Sequence, residues 1–79
     1  MNKIEKIATL LELIAQLAEE SGVISTDYSK YGGTKLNIHL SSREFKDFFK
    51  KYETLKHDDE HDRLVAKVGD VTVMALEDK

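Results

Sequence analysis

Apolar residues recur over the first twenty positions at helical spacing. Ile4, Ile7, Leu11, Ile14 and Ala18 follow alternating steps of three and four, and Leu10, Leu13 and Leu17 form a second row beside them. Neither Pro nor Gly interrupts this stretch, and strong helix formers dominate it. Asn2 is placed to cap the start, with Glu5 three residues on, and Gly22 to stop the end. The spacing predicts a helix over about Asn2 to Ser21. Its two rows cover roughly 220° of the surface, against the ~100° that a helix needs to dock on one core. Glu5, Thr9, Glu12, Gln16 and Glu19 are left for the polar side. Such a helix is either sheltered on two sides within its own chain, or it turns one row toward a partner chain, giving a homodimer or a bound target.

The period then changes to two. Val23 to Tyr28 reads as a strand with Ile24, Thr26 and Tyr28 on one face, and Lys35 to Leu40 as a second with Leu36, Ile38 and Leu40 inward. Ser29 to Thr34, with the pair Gly32-Gly33, is the turn between them. Ser41-Ser42-Arg43-Glu44 has the spacing of a capping box: the Ser41 hydroxyl accepts from the Glu44 N–H, and the Glu44 carboxylate from the Ser41 N–H. A second helix is expected from there to about Leu55, with Phe45, Phe48, Phe49, Tyr52 and Leu55 on its apolar face.

Two further strands flank Gly69-Asp70, which reads as a two-residue primed turn. That loop length fixes the register. Val68, Ala66 and Leu64 face Val71, Val73 and Ala75 on the core side; Lys67, Val65 and Arg63 face Thr72, Met74 and Leu76 on the other. Val65, Met74 and Leu76 leave an apolar patch where a solvated face is normally polar. The order is helix, hairpin, helix, hairpin. This predicts an α+β single domain over residues 1–79, αββαββ, with a four-stranded antiparallel sheet and two helices on one face. One sheet per half is the alternative arrangement.

Composition narrows the function. A chain of 79 residues buries only about 60% of its unfolded surface, so it is marginal without help. With no Cys, that help is not a disulfide or a thiolate metal site, and a reducing cytoplasmic setting fits. The net charge of −3 weighs against a protein that coats nucleic acid. Lys3, Glu5, Lys6 and Glu12 interrupt the first helix too often for a membrane span or a secretory signal.

Few residues offer chemistry. His57 and His61 flank Asp58-Asp59-Glu60 and on a helix would share a face at zinc-ligand spacing. The metalloprotease pattern is absent, because the general-base Glu is out of place. A solvated acidic turn is the plainer reading. Arg43, Lys46 and Lys50 form a basic stripe on the second helix, the basis for an alternative reading as a nucleic-acid-binding regulator. Glu44, Asp47 and Glu53 interleave with that stripe. No nucleophile–base pair and no facing carboxylates occur, so no enzyme activity and no cofactor are expected.

Ile38 to Phe45, followed by Leu64 to Leu76, resembles small uncharacterised proteins of bacteriophages and prophages, in which a short strand, a helix opening on a Glu-Phe-like pair and a hairpin ending in a "GVxVxAL"-like tail follow one another. Asp70 here separates the Gly and Val of that tail, and about half the chain is covered. The resemblance implies a phage setting, where small acidic proteins block host proteins, defence nucleases among them. A non-enzymatic protein-interaction module is therefore expected, self-associating through Leu10, Leu13 and Leu17 and offering Val65, Met74 and Leu76 to a partner.

Overall fold

The computed structural model describes residues 2–31, 33 and 35–79. It is an α+β fold of two helices and one five-stranded sheet. Helix α1 (Lys3–Glu19) leads through β1 (Val23–Ser29) and β2 (Lys35–Ser41) into α2 (Ser42–Phe48). The chain continues through β3 (Glu53–Lys56), β4 (His61–Val68) and β5 (Val71–Asp78).

The strand order is β1-β2-β5-β4-β3, and the β2/β5 pair is parallel while the others are antiparallel. The expected four-stranded antiparallel sheet is therefore corrected to a mixed sheet of five strands. The cause lies in residues 49–56. The spacing of Phe45, Phe48, Tyr52 and Leu55 fits a helix, but α2 ends at Phe48 after seven residues. Residues 53–56 instead pair with β4 in the register Glu53↔Val65 to Lys56↔Asp62. The pairing satisfies backbone groups of β4 that a longer helix would leave unpaired at the sheet edge. It also sends the chain across β5 and β4, which makes β2 and β5 run parallel.

The last hairpin has the expected register throughout, from Val68↔Val71 to Arg63↔Leu76. Gly69 has φ +60°, and Asp70 has no positive φ. This is the pattern of a II′ turn, in which only the first central residue adopts positive φ. The first hairpin departs at one point. A bulge between Val23 and Ser25 puts Val23 opposite Leu40 and Thr26 opposite Ile38. Val23, not Ile24, thus joins Thr26 and Tyr28 on the core side. Gly33 has φ +97°, and the turn positions Gly32 and Thr34 on either side of it lie outside the described residues.

The core is small. Phe45 of α2 is fully buried on Leu64, Val73 and Ala75, with Ile38, Leu40, Phe49, Ala66 and Val71 packed around them. Phe49 and the edge of Tyr52 close on the Phe45 ring at centroid distances of 4.8 and 5.2 Å. Lys46 forms an ion pair with Glu77, tying α2 to β5. At the start of α2 the expected capping box is half formed. Ser41 Oγ accepts from the Glu44 N–H at 3.2 Å, but the Ser41 N–H donates to the Gly22 carbonyl at 3.2 Å.

Helix α1 does not share this core. Its N-terminal capping box is complete, with Glu5 N–H donating to Asn2 Oδ1 at 2.8 Å. It ends on Glu20 in helical backbone conformation, so Gly22 is not the stop expected of it. None of its residues is buried, and its packing is confined mainly to β1. The radius of gyration is 14.2 Å, against about 11.6 Å for a compact chain of this length, and the long dimension is 47 Å.

Candidate protein-docking surfaces

The polar remainder of α1 is ordinary, but its apolar side chains are not covered. Leu10, Leu13 and Leu17 are 58, 49 and 57% exposed, and Ile4, Ile7, Leu11 and Ile14 of the other row are exposed as well. Shelter of α1 on two sides by its own sheet and second helix is thus not what the fold provides. Seven aliphatic side chains on one short helix present on the order of 600 Å² of apolar surface, the upper end of the largest patch a typical monomer leaves bare.

The sheet supplies a second surface. Strand alternation places Val65, Met74 and Leu76 on the face opposite Phe45, the side to which the hairpin register assigns them. Val65 and Met74 are half-buried and Leu76 is exposed. Two neighbours on this face are not apparent from the sequence pattern. Ile24 is turned onto this side by the bulge and lines a groove with Met74 and Leu76. Leu55 pairs opposite Arg63 once residues 53–56 are a strand. The signal for Ile24 was obscured by an apparently regular alternation, and that for Leu55 by a helical spacing with Tyr52. On the α2 side an apolar groove of about 380 Å³ is walled by Val23, Ile38, Leu40, Phe48, Phe49 and Val71. Phe48, expected in the core, is exposed at its rim.

The acidic segment takes a different form from the helix that would align two zinc ligands. Residues 57–60 are the turn between β3 and β4, with the His57 and Asp58 amides donating to the His61 carbonyl. The Asp58 carboxylate accepts from the Glu60 and His61 amides at 2.8 and 2.7 Å, and His61 Nδ1 lies 3.0 Å from it. His61 Nε2 lies 3.2 Å from Asp78, whereas His57 Nδ1 accepts from the Arg63 guanidinium at 3.1 Å. The two imidazoles therefore serve different partners. Among the described residues no group of three or more His, Asp or Glu is placed to hold a metal ion. The Glu60 amide, above all, holds the Asp58 carboxyl below its ordinary pKa, and the hydrogen bond to Asp58 raises that of His61.

The basic stripe expected on the second helix is also broken up. Arg43 and Lys46 lie on α2, but Lys46 is paired with Glu77, and Lys50 lies beyond the last helical residue. Among the described residues no helix is long and apolar enough to cross a membrane. Compared with protein-family models, curated proteins and solved structures, the chain has no match in any of the three.

Proposed function

We propose that the protein is a non-enzymatic protein-interaction module that self-associates through α1. The supporting observation is that both apolar rows of this helix are bare, although it is capped and regular. A 17-residue helix with packing confined mainly to β1 is marginal in water, so a covering surface on α1 would stabilise it. A second copy supplies one of matching size and chemistry at the same concentration. The isologous contact of a two-fold dimer is the commonest way in which such a patch is closed. The Val65/Met74/Leu76 face of each copy is left free by pairing through α1.

Amide hydrogen exchange measured across a dilution series tests this reading. Protection of the α1 amides is expected to rise with protein concentration, while that of β4 and β5 stays constant. Protection of α1 that matches the sheet and is unchanged on dilution would leave the helix stable by itself and remove the need for a partner.

A further inference from the structure

We infer that α1 pairs with α1 of a second copy in antiparallel orientation, in a single register set by Leu13 meeting its own symmetry mate. This rests on the reading of α1 as the self-association element. Around the helix, Ile7 and Ile14 alternate with Leu10 and Leu17 to form a seam of 3.5-residue average spacing. Ile4, Leu11 and Ala18 border it on one side, and Lys6, Leu13 and Glu20 on the other. All of these aliphatic side chains except the partly covered Ala18 are exposed, so none of the described residues covers the seam.

Orientation follows from charge. In the antiparallel pair, Ile7 packs with Leu17 of the second copy and Leu10 with Ile14, each layer occurring twice. Leu11 meets Leu11 on one border and Leu13 meets Leu13 on the other. Lys6 then falls beside Glu20 of the second copy at both ends of the pair. No ion pair among the described residues uses either Lys6 or Glu20 within the chain. In the parallel arrangement, Lys3 would stand against Lys3 in the seam and Lys6 against Leu11, so at the N-terminal end one lysine pair repels and the other lysine has no carboxylate beside it. The helix is about 26 Å long, enough for four apolar layers and their borders. The roughly 600 Å² of apolar side chain on α1 lies below the ~800 Å² per partner of a standard interface, as befits a contact between two short helices.

The absence of Cys makes the orientation directly readable. A mixture of Lys6→Cys chains and Glu20→Cys chains, mildly oxidised, is expected to give a disulfide-linked heterodimer. Lys3→Cys chains alone are expected to give no linked dimer. A linked Lys3→Cys dimer without the mixed product would overturn the antiparallel register while leaving self-association intact. A wild-type chain that sediments as a monomer at all concentrations would instead overturn self-association itself. Charge reversal supplies a second readout. Lys6→Glu is expected to weaken the dimer roughly fivefold, and adding Glu20→Lys to restore it. Helix-dipole effects favour both changes within a single helix, so they cannot produce a loss followed by a rescue. Equal affinity for all three chains would contradict the pairing.

Discussion

Gly22 lies so close to Glu44 that a Cβ built on it would stand 2.7 Å from the Glu44 Cδ and 2.8 Å from its Cβ. The same two-residue meeting is held by Ser41, which donates to the Gly22 carbonyl and caps the Glu44 amide. The root of α1 is thereby fixed to the first turn of α2. Gly22→Ala is expected to destabilise the protein by about 1–3 kcal/mol through overpacking. In a Glu44→Ala background the added methyl meets less of the side chain, so its cost should be smaller. Thermal unfolding of the four chains checks this, and strictly additive costs would show that the two residues do not crowd each other.

The aromatic residues of residues 45–52 separate sharply. Phe45 is fully buried, whereas Phe48 is 73% exposed. Phe45→Ala is expected to cost about 3–5 kcal/mol, enough to unfold much of a domain this small. Phe48→Ala should change stability by less than about 0.5 kcal/mol in the isolated chain. Denaturant titration of both variants distinguishes them, and similar losses would place Phe48 in the core after all.

These residues also show where sequence reasoning stops. Phe45, Phe48, Tyr52 and Leu55 repeat at helical spacing, yet only the first of them is deeply buried. The pairing of residues 53–56 with β4 decides their conformation, and that pairing is a long-range event with no local mark. The β2/β5 pairing is hidden for the same reason. The hairpin around Gly69-Asp70 is the opposite case, because a two-residue loop leaves a single register and every cross-strand pair follows from it. The bulge at Val23/Ser25 changes which residue faces inward without changing the apparent alternation, so Val23 and Ile24 exchange roles unannounced. The excess of apolar residues on α1 is legible in the sequence, but it fits shelter within the chain as well as a partner, and only the fold leaves the rows exposed. The His57/His61 spacing would align two zinc ligands only on a helix, and residues 57–60 form instead the acidic turn that is the plainer reading of the segment.

That turn gives a pH response. The His61 pKa is raised above the ordinary 6.5, so its contribution to stability is complete below that value and is lost as pH rises through the folded pKa. The Asp58 pKa lies below the ordinary 3.8, so its contribution is complete above that value and is lost as pH falls through the folded one. The β3–β4 turn is therefore held best between about pH 3.8 and 6.5. Asp58→Asn should lower the His61 pKa, read from the imidazole resonances in an NMR titration. An unmoved titration would assign the raised value to another cause.

Light scattering on the wild-type chain and on Leu10→Glu/Leu17→Glu at micromolar concentration bears most directly on α1 as a self-association element. The expected result is a mass of two chains for the wild type and one for the variant, with the β-sheet signal of both unchanged. A wild-type mass of one chain, with α1 still helical, would contradict it.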